Sequence, residues 1–312
     1  MKSYMFNSML VAECDPKHVT IEIHDAPKTE MPMNSANAGY FGGYSENGIY
    51  FTLPVAHLVA GFSLDALSNP EYKYMRERGI IDGNRWRFDS SKWSYCNDFY
   101  QKNVSTFIIS EGEAHIDQYV TLPDCEYAVS GVPILMCGKA VTFADAREEG
   151  WSESSLYATR HTFVGVKDNG TVVVASFVTS TSNLVLYEEA AVKLQALGVI
   201  DAIKLDGGGS AYMSVDGTVV KTGENRHIHS IIRFDSPIED DPLLMPTLKK
   251  GDKNNSVGAL QTLLNYRKYG NLNVDCSYGG KTRAAVVALQ TDSDLAPTGV
   301  TSQEEWVKLI EG

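Results

Sequence analysis

The run Leu197-Gly-Val-Ile-Asp-Ala-Ile-Lys204-Leu-Asp206-Gly-Gly-Gly-Ser210 decides how the larger part of the chain folds. Ile200 to Leu205 reads as a buried strand. Ahead of it, Tyr187, Ala190, Ala191, Leu194 and Leu197 share one helical face, and Gly198 stands where a helix ends in positive φ. The strand delivers Asp206 to its end, and Gly207, Gly208 and Gly209 follow at once. Glycines there serve close backbone approach or positive φ, and successive N–H groups in such a turn can cradle an anion. The run lacks the lysine of a P-loop and the spacing of a dinucleotide fingerprint. Asp206 therefore reads as an acid, a base or a metal ligand, or as the cap of its own loop.

Outward from this point the chain alternates hairpins with a helix. Residues 162–177 form a hairpin about Asp168-Asn169-Gly170, and residues 211–222 another about Asp216-Gly217. VTIEIHD, from Val19, is an early strand, and His227 to Phe234 a closing one. The fold class is α+β, a mixed or antiparallel sheet without regular βαβ winding. Residues 63–105 carry many aromatics and no clean period, and read as an insertion.

SPIEDDPLLMPT, with Pro237, Pro242 and Pro246, reads as a linker. Three short helices follow, over 256–269, 281–291 and 302–311, the last opening on the capping-box spacing Ser302-x-x-Glu305. The expected organisation is a catalytic domain over 1–235, a linker over 236–246 and a small all-α three-helix domain over 247–312.

With 27 basic and 39 acidic residues the net charge is −12. A general nucleic-acid binder needs a basic face, so no nucleic-acid partner is expected. No apolar run reaches the length of a membrane span. Cys14, Cys96, Cys125, Cys137 and Cys276 are odd in number and widely spaced, without a CxxC, and read as reduced thiols. The N-terminus has no continuous apolar segment, so the expectation is cytoplasmic synthesis without a signal peptide.

Asn37-Ala-Gly-Tyr-Phe41, Tyr127-Ala-Val-Ser-Gly131-Val-Pro133, Thr162-Phe-Val-Gly165, the Asp206 run and Arg226 together resemble the phosphodiester glycosidase family. The resemblance runs from about residue 8 to residue 235, leaving 63–105 unmatched. It implies an α+β domain that hydrolyses a glycosidic bond, typically at a sugar-1-phosphate diester. By position it places Asn37, Asp206, Gly207, Gly208, Gly209, Ser210 and Arg226 on the family's pocket motifs, and Glu189 on its helix glutamate. The chain departs from the pattern at His161, which precedes Thr162 with Arg160 one place earlier, at Lys204 and at Ser230.

Glycoside hydrolysis asks for two groups, one to protonate the leaving oxygen and one to attack or to activate water. Asp206 is the first candidate, and His161 and Glu189 are candidates for its partner, with His229 also weighed. His161 has the alternative of a hydrogen-bonded strand histidine, and Glu189 that of a helix-terminus carboxylate. Asn37, Arg160, Lys204, Gly207, Gly208, Gly209, Ser210 and Arg226 are the candidate substrate-binding residues. No cofactor follows from the residues, and a divalent cation stays open.

Leu248-Lys-Lys-Gly-Asp252, Val257-x-x-Leu-Gln261-x-x-Leu264, Asp275-Cys-Ser-Tyr-Gly279-x-x-Thr282 and Trp306-x-x-Leu309 resemble the three-helix peptidoglycan-binding domain. That resemblance implies a wall glycan or peptidoglycan partner. Together the two resemblances point to a cell-wall-directed glycoside hydrolase of the phage endolysin type, acting at the bacterial wall. The other readings are a wall-sugar-binding protein without activity and a host wall or spore remodelling enzyme.

Overall fold

The structure is a computed structural model that describes residues 1–46, 48–61, 70–93, 98–152, 160–177, 187–221, 224–234 and 246–311. The expected linker, except Pro246, and Cys96 lie outside the described residues.

Two large sheets form the body of residues 1–234. The first has seven strands, in the order Lys2–Phe6, Met9–Cys14, Val172–Phe177, Thr162–Lys167, Val199–Lys204, Val132–Met136 and Lys139–Ala140. All its pairings are antiparallel. The second has eleven strands, with Val19–Pro27, His227–Phe234 and Ser35–Asn37 side by side at its centre. It is mixed, because Val19–Pro27 runs parallel to Leu58–Gly61. The expected α+β class with mixed and antiparallel sheet is therefore present, laid out as two large sheets.

Side-chain alternation assigns the layers. Leu10, Ala12, Val164, Val174, Ile203 and Leu205 of the first sheet share an apolar core with Ile21, Ala36, Leu58 and Ile232 of the second. The other face, with Val11, Phe163, Val173, Ala175 and Ala202, packs with Ala190 and Leu194 of the helix Tyr187–Ala196. A sheet buried on both faces needs unbroken apolar strands, which is why VVVASF and TFVGVK show little polar alternation. Both hairpins close where expected: Val166 pairs with Val172, and Val215 pairs with Thr218 across Asp216 and Gly217, both at positive φ.

The segment set aside as an insertion is partly regular. It contributes the helix Pro70–Glu77 and the strands Ile81–Asp82 and Arg85–Phe88, the latter pairing with Leu58–Gly61. Trp86 and Phe88 are fully buried there, so two of the aromatics that hid any period in the sequence are core residues of the second sheet.

The C-terminal helices are Asn255–Tyr266, Gly280–Asp292 and Gln303–Glu311. Their core gathers Leu260, Leu264, Val286, Leu289, Trp306 and Leu309. Glu305 reaches back to accept from both the N–H and the hydroxyl of Ser302, each at 2.6 Å, so the expected capping residues do meet. Asn255–Tyr266 packs against Tyr187–Ala196, and the apolar cluster is continuous across that seam.

Candidate active site

Asp206 leaves the first sheet at the end of Val199–Lys204, beside the strand Ser35–Asn37 of the second. Its N–H donates to the carbonyl of Ala38 at 3.0 Å, and Leu205 still donates to Thr162 at 2.8 Å. The Asn37 amide donates to the carbonyl of Asp206 at 2.6 Å, while its oxygen accepts from Thr162 Oγ1 at 2.8 Å and from the Tyr212 N–H at 2.9 Å. Buried Asn37 thus joins three segments and fixes the backbone of Asp206. It orients the loop.

Each glycine of the loop has its own reason. A Cβ on Gly207 would lie 2.7 Å from the Arg160 carbonyl oxygen. Gly208 has φ +57, a conformation other residues rarely adopt. A Cβ on Gly209 would lie 2.3 Å from Glu224 Oε2 and 3.2 Å from Arg226 Cζ. The N–H groups of Gly207 and Gly208 are satisfied within the site, by Asp206 Oδ1 at 2.8 Å and by the Arg160 carbonyl at 3.0 Å. The row of N–H groups expected to cradle an anion is therefore not presented by these two glycines.

Positive charge comes from side chains instead. Lys28, buried at the end of Val19–Pro27, donates to the carbonyl of Gly209 at 2.5 Å. Burial holds its ammonium below the ordinary lysine value; Glu224 opposes this, while Arg226, Arg160 and Lys221 add to it. Arg160, Arg226 and Lys221 thus stand close enough to Lys28 to act on its charge. Lys204 is buried beneath the loop, with Nζ donating to the Tyr40 hydroxyl and lying 4.9 Å from the Tyr40 ring centre. Tyr40 in turn packs on Trp151, ring centres 5.0 Å apart.

Burial pushes the Lys204 amine down to about 8, against the pull of Asp206. Burial also raises the Asp206 carboxyl above its ordinary range; Ser210, Lys204, the Gly207 N–H and Arg226 oppose it. A desolvated carboxyl that holds its proton more tightly than usual, beside cations, suits proton transfer.

The structure brings together Asn37, Arg160, Lys204, Asp206, Gly207, Gly208, Gly209, Ser210 and Arg226. The two candidate partners lie otherwise. The His161 ring packs among Phe163 and Phe177, at 5.7 and 6.3 Å, in the layer under the helix. Glu189 Oε1 pairs with Lys193 at 2.8 Å, one helical turn on, and lines a cleft with Asn7, Tyr266 and Arg267, away from the glycine loop. His229 is buried between Phe41 and Trp86, with ring distances of 5.9 and 5.4 Å, and burial pushes it down to about 4, leaving a neutral imidazole.

Sequence reasoning missed Lys28, Tyr40 and Glu224. Tyr40 lies inside the quoted Asn37–Phe41 run and Glu224 two places before Arg226, so both stood beside known signals. Lys28 had none, since only the pairing of Val19–Pro27 with His227–Phe234 carries it to the loop. Among the described residues no group of three His, Cys, Asp or Glu could hold a metal ion, and no helix is long and apolar enough to cross a membrane.

The phosphodiester glycosidase family model matches residues 68–234, more than half of the chain. The chain belongs to the phosphodiester glycosidase family. The match takes in most of the segment 63–105 that the motifs left out, and stops short of Asn37 and Lys28. The peptidoglycan-binding domain model matches residues 253–309, so a phosphodiester glycosidase domain is followed by a peptidoglycan-binding domain. No curated protein matches the chain.

Similar solved structures include the zebrafish N-acetylglucosamine-1-phosphodiester alpha-N-acetylglucosaminidase catalytic domain, auto-inhibited by its pro-peptide. It is 15% identical with a TM-score of 0.38, over 70% of this chain and 89% of that one. A hypothetical protein from Synechocystis is 12% identical with a TM-score of 0.40, over 72% of this chain and 58% of that one. An exported protein from Burkholderia pseudomallei is 12% identical with a TM-score of 0.41, over 72% of this chain and 73% of that one. This chain thus matches little more than half the length of the Synechocystis protein.

Proposed function

We propose that this protein is a cell-wall-directed glycoside hydrolase of the endolysin type that uses Asp206 as a catalytic carboxyl. The observation that carries the reading is the placement of Asp206. Its carboxyl is desolvated at the head of a side-chain-free glycine loop, with Lys204 and Arg226 acting on its charge. Such a carboxyl can deliver a proton to a leaving glycosidic oxygen. Lys28 and Arg226 beside Gly209, with Arg160 and Lys221 acting on the charge of Lys28, favour an anionic leaving group, as a sugar-1-phosphodiester or a phosphate-bearing wall polymer would supply. The peptidoglycan-binding domain supports a wall substrate by holding the catalytic domain at a high local concentration of it. Synthesis in the cytoplasm and action at the wall complete the proposal.

The test is digestion of purified bacterial walls and of an N-acetylglucosamine-1-phosphodiester, with mass analysis of the products. New reducing ends are expected from the wild-type chain and none from Asp206→Asn. Release of free amino groups without reducing ends would show a peptide or amide bond to be the target and overturn the reading.

A further inference from the structure

We propose that Glu224 is the second carboxylate of this site, the base that takes a proton from the attacking water. The inference rests on the hydrolase reading above and supplies the partner that Asp206 lacks.

A Cβ on Gly209 would meet Glu224 Oε2 at 2.3 Å, so the carboxylate lies against the bare backbone of the third glycine. Lys28 donates to the carbonyl of that same glycine at 2.5 Å, and its charge is coupled to Glu224. Arg226 Nη2 stands 3.9 Å from Glu224 Oε2, and Arg226 also acts on the charge of Asp206. One guanidinium therefore stands beside Glu224 and acts on the charge of Asp206 as well. The Glu224–Arg226 contact is long, and the two side chains are 69% and 52% exposed, so a loose surface ion pair contributes little that would explain the bare glycine beneath it.

The two environments differ in the sense a hydrolase needs. Asp206 is desolvated at the loop's base, and burial raises its carboxyl above the ordinary carboxylate range. Glu224 is open to water at the loop's rim. Carboxyl pairs in contrasting surroundings divide acid and base roles between them. In the proposed step a water oxygen bonds to the anomeric carbon and gives one proton to Glu224. The bond from that carbon to the leaving oxygen breaks, its electron pair stays on the leaving oxygen, and Asp206 supplies the proton. Exchange with solvent then returns both groups to their starting states.

The experiment compares wild type, Glu224→Gln, Glu224→Asp and Asp206→Asn on the N-acetylglucosamine-1-phosphodiester and on walls, with melting temperatures for each. Glu224→Gln is expected to lose at least about a hundredfold in kcat, with KM held within about threefold and the melting temperature unchanged. Added azide, a nucleophile that needs no base, should restore part of its turnover and yield a glycosyl azide. Asp206→Asn should show no such restoration. Wild-type turnover by Glu224→Gln beside an inert Asp206→Asn would overturn the role of Glu224 and leave the hydrolase reading intact. Loss in Glu224→Gln that azide does not restore, shared by Glu224→Asp and matched by a lower melting temperature, would show a merely structural residue and overturn it too. A folded wild-type protein inert on both substrates would overturn the hydrolase reading and this one with it.

Discussion

The side-chain amide of Asn37 donates to the backbone carbonyl of Asp206 at 2.6 Å, across 169 positions of sequence. The same amide's oxygen takes the hydroxyl of Thr162 and the N–H of Tyr212. One buried side chain thus holds the two sheets in register at the place where the candidate catalytic carboxyl emerges.

Asn37→Ala should destabilise the protein by about 2–4 kcal/mol, because it leaves a buried N–H and a buried carbonyl without their partner. Asn37→Asp should cost more, since it turns an acceptor toward the Asp206 carbonyl. Urea unfolding of the three proteins checks both, and a change below about 0.5 kcal/mol for Asn37→Ala would contradict the account.

Gly207→Ala and Gly209→Ala should separate folding from chemistry. At 207 the new Cβ meets a backbone oxygen, that of Arg160, which cannot swing aside. A cost of about 1–3 kcal/mol in stability is expected, as for other overpacked sites. At 209 it meets the tip of the Glu224 side chain, which can move. Stability should then stay nearly constant while turnover falls, and melting curves alongside wall-digestion rates distinguish the two.

Lys204→Met should stabilise the protein near neutral pH, even though Tyr40 loses its partner. The folded-state amine lies at about 8 against an ordinary 10.5. Between those values the unfolded chain binds more protons than the folded one, so wild-type stability rises as pH increases from about 8 to 10.5. Below that window the buried charge is a constant penalty on the order of 3 kcal/mol. The advantage of Lys204→Met should therefore shrink across the window, which melting temperatures at pH 7 and pH 10 would show. An advantage independent of pH would exclude the ionisation of Lys204 as its cause.

Removal of residues 246–312 should abolish sedimentation with wall sacculi. It should also lower the melting temperature of what remains, because the apolar cluster continues from Ala190 and Leu194 to Leu260 and Leu263 of the helical part. Co-sedimentation equal to that of the full chain would refute the binding role, and an unchanged melting temperature would refute the energetic importance of the seam.

Local physics decided much of this in advance. Asn-Gly and Asp-Gly turns close hairpins whatever surrounds them, Gly198 ends a helix, and an aspartate followed by three glycines marks a strand end with room for a ligand. These signals act over a few residues, so hairpins, helices and the Asp206 loop were legible from the chain alone. The partition into two sheets was not, because apolar strands buried on both faces carry no alternation to say which layer each face meets. The aromatics of Arg85–Phe88 were opaque for the same reason. The site divides along the same line. Asp206 and its glycines are contiguous, whereas Lys28, Tyr40 and Glu224 reach the loop from three other segments. A charge gains meaning from the neighbours it meets, and only the folded chain brings a lysine from the end of one strand onto the carbonyl of Gly209.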